Sequence, residues 1–360
     1  MKATISKGEL KFALNAVCKT ASNAAANLAC VLIDARDAVM RFETNDGVCA
    51  SRYESLALID EPGRLLLPAN YLSDIVGDLP DEAIGVSSDG TGCILSYGKS
   101  SVRISGLDPD EFQGFPPLKP EHTATIKAET FSGMVKMCAK FASKNNERPI
   151  FCCINVSAKD GDLTMRATDS YRLVEVADTA QAGSGEFVCN LPARFAVQFA
   201  SSFQTGDVDM AVAGNQIILS SGPLTCMTRA VEGNYPDFTR FFATEYGNVA
   251  VFERHEAIPV IKRAKTVGRW SHEALRLSLS DGAVKVELSS SELGSIAEDI
   301  PCDEFSGGHV FANVSAAFLF DVFSAMPDER IELRIENGIS PVSVKSGNAR
   351  AVLMPIRGAK

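Results

Sequence analysis

The 360-residue sequence has no apolar run approaching the ~20 residues that a membrane-spanning helix requires. Its first residues, MKATISKGELKF, contain no signal-peptide hydrophobic core. These absences predict a soluble, cytoplasmic protein that makes no use of a membrane. Cys-x-x-Cys is also absent despite ten cysteines, and the four histidines (His122, His255, His272, His309) are scattered, so no zinc-binding pattern emerges. Cys18, Cys30, Cys49, Cys93, Cys138, Cys189 and Cys226 sit inside apolar strand or helix patterns and read as reduced core thiols. The adjacent pair Cys152-Cys153 reads as alternating across a strand.

Catalytic motifs are missing as well. Gly98-Lys99-Ser100 resembles the tail of a phosphate-binding loop, but Cys93 stands where an earlier glycine belongs and the segment reads as a hairpin. His255-Glu256 and His272-Glu273 lack the second histidine of a zinc-protease helix. Asp160-Gly161-Asp162 is more simply a hairpin turn than a calcium loop. Asp169 near Arg172 reads as an ion pair fixing a loop rather than an acid/base pair. The sequence therefore predicts no catalytic residue, no metal ligand and no cofactor.

What is present is a chain with 46% hydrophobic residues, long enough for roughly two or three domains with real cores. From Thr130 to Lys144 the apolar residues Phe131, Met134, Val135, Met137, Cys138 and Phe141 recur at helical spacing. Lys136, Lys140 and Lys144 fall four apart on one face, with no carboxylate between them, in a protein of net charge -10. Two readings fit this ridge: an ordinary solvated face, or a face for an anionic partner. The acidic total argues against indiscriminate polyanion coating, yet a basic channel can lie inside an acidic body.

A related helix recurs near the head of each third of the chain. Residues 3 to 19 read as a strand and then a helix; strands follow over Leu28–Asp34 and Ala38–Thr44, and Pro68 opens a second helix that Pro80 stops. The order restarts with a strand at Thr123–Ile126 and the helix Thr130–Lys144, and again with a strand at Val249–Phe252 and a helix at His255–Thr266. Hairpin signals fall at 46, 160 and 281 in one series and at 89, 214 and 337 in the other, a period of about 120 residues. The pattern predicts an α+β fold of three tandem units, each with two helices packed on antiparallel sheets, bounded at 1–121, 122–246 and 247–360. Such an array forms either an open row or a closed ring; head-to-tail dimerisation would close a ring by pairing sheet edges.

Three motifs lie on this repeat: ATDSYRL (Ala167–Leu173), EGNYPDFTRF (Glu232–Phe241) and VLMPIR (Val352–Arg357). In that order, with the repeat, the whole chain resembles the β sliding clamps of bacterial DNA polymerase III. The resemblance implies a head-to-tail homodimeric ring whose helices line a hole for duplex DNA. It implies no catalysis; such a clamp tethers the replicative polymerase. Its partners would be double-stranded DNA, the polymerase III catalytic subunit, the clamp loader, other proteins carrying a clamp-binding motif, and a second copy of itself. Residues placed to face phosphate are Lys7, Lys11, Lys19, Lys136, Lys140, Lys144, Asn146, Arg148, Phe151, Arg194, Lys262, Lys265 and Arg269. Contacts of this kind read no base sequence.

The resemblance also implies a hydrophobic pocket that takes a short Gln-Leu-type peptide. Its wall would be Thr168, Ser170, Tyr171, Arg172 and Leu173, then Pro236, Arg240 and Phe241, then Val352, Leu353, Met354, Pro355, Ile356 and Arg357. Asn313, Phe318 and Ile339 would complete it. Leu, Met, Pro and Ile supply an adaptable apolar floor, and Arg and Ser can bind peptide backbone. Three departures stand out. NAAANLAC (Asn23–Cys30) replaces an Arg-Pro-Thr-Leu-Pro-like loop, Ser170-Tyr171 replaces Gly-His, and NNERPIF (Asn145–Phe151) matches its loop loosely. A scaffolding ring or row without DNA, and an enzyme whose site forms only in three dimensions, remain the other classes.

Overall fold

The computed structural model describes residues 1–357 apart from Leu118, Gln204, Ala243, Thr244 and Asp281. Its helices are α1 (Lys7–Val17), α2 (Ala69–Asp78), α3 (Ala128–Ala139), α4 (Ala193–Ala200), α5 (Thr239–Phe242), α6 (Arg254–Ser271) and α7 (Ala316–Ala325). Among the described residues each third of the chain repeats one order: a strand, a helix, five strands, a helix, three strands. The short α5 lies between the second and third repeats. No helix of the described residues is long and apolar enough to cross a membrane.

Local chemistry sets the helices. Ser6 precedes α1 and its hydroxyl accepts the Glu9 backbone N–H at 3.2 Å, satisfying one of the donors that a helix start leaves open. Ser315 does the same for Phe318 at the start of α7. The buried stripe of α1 is Leu10, Ala13, Leu14 and Val17, continued by Thr20; that of α3 is Phe131, Met134, Val135 and Cys138, continued by Phe141. In α6 the stripe is Ala257, Val260, Ile261 and Ala264. Full burial of each large apolar side chain stabilises the fold by about 1.5–3 kcal/mol.

α3 is shorter at its C-terminal end than the lysine spacing predicts. After Ala139 the backbone tightens, with Lys140 N–H bonding Met137 O and Phe141 N–H bonding Cys138 O, and Ser143 N–H turns away to Phe151 O. The predicted ridge is therefore broken: Lys136 is on the helix, Lys140 is in its closing turn, and Lys144 is in the loop. α6 runs longer than predicted, through Pro259 to Ser271, and ends where His272 takes a left-handed φ of 57°.

The equivalent first hairpins also correct the predicted turn series. They close Arg36 on Val39, Lys159 on Asp162 and Ser280 on Ala283. The first of these turns is therefore Asp37-Ala38, both at positive φ without a glycine, and not Asp46-Gly47. Asp281, predicted at the third turn, lies outside the described residues.

By packing, the chain separates into two compact units. One is Met1–Ser132, Ala180–Leu191 and Phe195–Ala230; the other is Gly133–Thr179, Pro192–Arg194 and Val231–Lys360. The first unit holds a five-stranded sheet, ordered Leu58–Glu61, Lys2–Ser6, Ala83–Asp89, Gly92–Tyr97, Ser100–Ile104. It also holds a nine-stranded sheet, ordered Ala182–Ser184, His122–Lys127, Asp207–Ala213, Gln216–Ser221, Leu224–Arg229, Cys49–Leu56, Val39–Asn45, Cys30–Arg36, Gly63–Pro68. The antiparallel pair of Leu224–Arg229 with Cys49–Leu56 joins the second half of the middle repeat to the first half of the first repeat, with Leu224 opposite Tyr53.

In the second unit the equivalent pair joins Ala349–Leu353 to Arg172–Thr179, with Ala349 opposite Val176. From there the sheet runs through Val342–Ser346, Arg330–Ile335 and Asn248–Glu253 to Glu304–Ser306 on one side, and through Asp162–Thr168 to Cys153–Lys159 on the other. A separate four-stranded sheet is ordered Gly294–Pro301, Ala283–Ser290, Leu275–Ser280, Val310–Val314.

Candidate partner pocket and cationic helix ends

The pocket begins with the loop that links Asp162–Thr168 to Arg172–Thr179. Thr168 Oγ1 donates to Arg172 O at 2.7 Å and accepts Ser170 N–H at 3.1 Å. Asp169 Oδ1 accepts the backbone N–H groups of Tyr171 and Arg172, each at 3.0 Å. This side-chain cage holds Ser170 at φ 78°, a conformation rarely adopted by a residue with a Cβ.

Arg172 is the pivot, with only 9% of its surface exposed. Its Nε donates to Asp169 Oδ2 at 2.9 Å, its Nη1 to Asp321 Oδ2 at 2.7 Å and its Nη2 to Lys140 O at 2.8 Å. The guanidinium also lies over Phe318, 4.5 Å from the ring centroid. Three sides of the fork are thus satisfied, as a buried charge demands. The ion pair expected between Asp169 and Arg172 is present.

Around this loop lies a cavity of about 70 Å³, lined by Thr168, Ser170, Tyr171, Arg172, Leu173, Phe238, Phe241, Val352 and Met354. Eight of these lining residues were named from sequence; Phe238 was missed, although it lies in the quoted EGNYPDF motif and half its neighbours there are polar. Phe318 is not in the lining but stacks on Tyr171, ring centroids 6.1 Å apart. Asn313 and Ile356 meet beside the rim, where Ile356 N–H bonds Asn313 O at 2.7 Å, and Met354 N–H bonds Tyr171 O at 2.9 Å. Leu353 is buried in the sheet opposite Arg172 rather than facing the cavity. Arg240 lies over the Phe241 ring. Pro236, Pro355, Ile339 and Arg357 do not line the cavity; Ile339 is 68% exposed near the Asn337 turn.

The residues expected to face DNA divide by whether a protein acceptor holds the side chain, Lys140 being exposed yet held. Lys11, Lys136, Lys144, Asn146, Arg148, Arg194, Lys262 and Arg269 are exposed, and Lys7 and Phe151 are half-buried. Phe151 packs edge-on against Tyr235 and Arg148 lies over its ring. Lys19, Lys140 and Lys265 instead have protein acceptors. Lys19 Nζ donates to Gln198 O at 3.0 Å and Ser202 Oγ at 2.6 Å; Lys140 Nζ donates to Ser324 O at 3.0 Å; Lys265 Nζ lies 3.7 Å from Asp321 Oδ1. Burial lowers the pKa of both Lys19 and Lys140.

Among the described residues, one trio of possible metal ligands, Glu253, His255 and Glu329, brings its ligand atoms within 4.8 Å of one another. The Arg254 guanidinium already takes Glu329 and holds its carboxyl below the usual range. The chain is thus a three-fold repeat of one helix-and-sheet module that carries a small, largely apolar cavity beside a buried arginine.

The comparisons with known proteins agree. Residues 1–116, 125–237 and 239–357 match the N-terminal, central and C-terminal domains of the DNA polymerase III beta subunit. The beta sliding clamp of Staphylococcus aureus is 24% identical over 313 residues, covering 84% of this chain and 82% of that protein. The clamp of Staphylococcus epidermidis shows the same identity and coverage. Among solved structures, the beta subunit of Streptococcus pyogenes DNA polymerase superposes with a TM-score of 0.94 at 23% identity, over 99% of this chain and 100% of that one. The sliding clamp of Bacillus subtilis gives 0.93 at 21%, over 99% of each. The chain belongs to the DNA polymerase III beta subunit family, the sliding clamps, which are non-catalytic processivity factors.

Proposed function

We propose that this protein encircles duplex DNA as a homodimer in the cytoplasm, without sequence preference, and tethers the replicative polymerase, the clamp loader and other peptide-bearing proteins through the cavity beside Arg172. Its three modules would fall at 1–121, 122–246 and 247–360. The exposed cations of the first helices and their loops would face phosphate, and topology rather than affinity would hold the complex.

The observation that carries this reading is a pair of unpaired sheet edges. Each joint inside the chain pairs the last strand of one module with the third hairpin strand of its neighbour, in one register. Ser100–Ile104 and Gly294–Pro301 occupy those two positions and both are sheet edges. Between two copies they would pair antiparallel, turning a five-stranded and a four-stranded sheet into a nine-stranded one and hiding both edges. The shared register sets Ser100 opposite Glu298 and Val102 opposite Ile296 of the second copy.

A variant carrying Val102→Cys and Ile296→Cys tests this. Loaded onto nicked circular DNA and then oxidised, it should become a covalent dimer that stays bound in high salt and is released by linearising the plasmid. Retention on linear DNA would indicate ordinary affinity. A protein that binds partner peptides but never loads onto circles would be a scaffold.

A further inference from the structure

The two joints inside the chain share a second device, on their helices. Aligned by their buried stripes, Lys19 at the end of α1 corresponds to Lys140 at the end of α3 and to Thr266 in α6. The second helices align likewise through Ala69, Leu72 and Val76 in α2, Ala193, Ala196 and Ala200 in α4, and Ala316, Leu319 and Phe323 in α7. At the first joint Lys19 Nζ reaches Gln198 O and Ser202 Oγ at the C-terminal end of α4; at the second, Lys140 Nζ reaches Ser324 O at the C-terminal end of α7. A helix C-terminus presents unpaired carbonyls and the negative end of its dipole, so an ammonium there satisfies acceptors that otherwise need water.

At the first joint the contact is returned across the joint, whereas at the second Lys140 O is taken by an arginine of its own module. The Gln198 side-chain amide donates to Lys19 O, and Arg172 Nη2 donates to Lys140 O at 2.8 Å. The third joint, between copies, would lack the lysine. Thr266 turns its hydroxyl back to Lys262 O at 3.1 Å, and a threonine is too short to cross to another helix. By the same alignment, Gln198 corresponds to Asp74 and Ser202 to Asp78, while the strand position of Arg172 is held by Gly294. By this alignment the joint between copies would bring the Thr266 position to Asp74 and Asp78 with no lysine at the latch position.

We propose that the two joints between copies are the unlatched joints of the homodimeric ring, and that a lysine at position 266 would latch each onto the end of α2 in the other copy of this chain. The surface involved is the α6 face around Thr266, and its partner is the acidic C-terminal end of α2 with Asp74 and Asp78. The proposal rests on the homodimer reading above.

The test is Thr266→Lys in the full-length protein, with dimer dissociation followed by mass across a dilution series at about 0.1 M salt. A charged hydrogen bond to carbonyl or carboxylate should lower the dimer Kd by about tenfold. Adding Asp78→Asn should return part of that gain. An unchanged or raised Kd in a variant that unfolds at the native temperature would overturn the proposal and leave the dimer reading standing. Native protein that stays single-chain at every concentration would overturn both.

Discussion

Arg172 Nη1 lies 2.7 Å from Asp321 Oδ2, tying the pocket loop to the middle of α7. Arg172 is buried and Asp169 takes its Nε; in Arg172→Ala the Asp169 carboxylate would lose its counter-ion, while Asp321 would keep only Lys265 at 3.7 Å. Breaking a buried pair by removing one partner leaves uncompensated charge, so this change should cost about 3 kcal/mol. Arg172→Lys should recover only part, because an ammonium cannot fork to Asp169, Asp321 and Lys140 O together. Urea midpoints at constant slope measure both; a loss under about 1 kcal/mol would mean that water reaches these carboxylates freely.

The pocket predictions separate wall from frame. Tyr171 and Met354 are exposed lining residues, 63% and 39% by surface, whereas Val352 is buried in the sheet pairing. Tyr171→Ala and Met354→Ala should each weaken a fluorescent Gln-Leu-type peptide by about tenfold while leaving the melting temperature within a few degrees. Val352→Ala should instead lower stability by roughly 1 kcal/mol or more. Equal peptide affinity in the first two variants would move the binding site elsewhere.

Much of this was legible beforehand because period and turn chemistry are local. The three-fold strand and helix order, the helix after Pro68 and the hairpin at Asp160-Gly161 all follow from residues near one another. The Asp37-Ala38 turn was missed because no glycine marks it; it is set by the pairing of Arg36 with Val39 and of Val39–Asn45 with Cys49–Leu56. The roles of Lys19 and Lys140 were hidden for a similar reason. A lysine on a helical ladder looks the same whether it faces water or the end of a helix some 180 residues away.

That division gives a salt-dependence prediction. Lys136 and Lys262 are exposed, and each one that contacts phosphate should release about one counterion. Lys136→Ala and Lys262→Ala should each flatten the log-log salt slope of binding to short duplex DNA by at most about one unit. Lys19→Met should leave that slope unchanged, since its ammonium is committed to Gln198 O and Ser202 Oγ. A Lys19→Met slope as reduced as that of Lys136→Ala would show that the latch opens onto DNA.

Thiol reactivity follows burial. Burial pushes the Cys18 and Cys153 thiols up to about 12 and the Cys93 thiol to about 11. At about pH 8 these groups hold almost no thiolate, so in the folded protein they should resist alkylation that proceeds readily in denaturant. Mass spectrometry after a short iodoacetamide pulse reads this; rapid native labelling of Cys93, which is fully buried, would reveal local opening of its sheet.

Lys19 also makes a pH prediction whose sign is fixed. Burial lowers its pKa below the usual 10.5, so as pH rises the folded protein releases this proton before the unfolded chain does. Throughout the window between the depressed value and 10.5 the unfolded chain binds more protons, and the contribution of this group to stability increases with pH. Below that window the lysine is charged in both states and the desolvation penalty is present in full. Lys19→Met has no such titration. The stability of the native protein relative to Lys19→Met should therefore be flat from about pH 7 to the window and then climb toward pH 10.5. A difference that falls over the same range would mean that the ammonium gains more from the end of α4 than burial takes away, placing its folded pKa above the ordinary value.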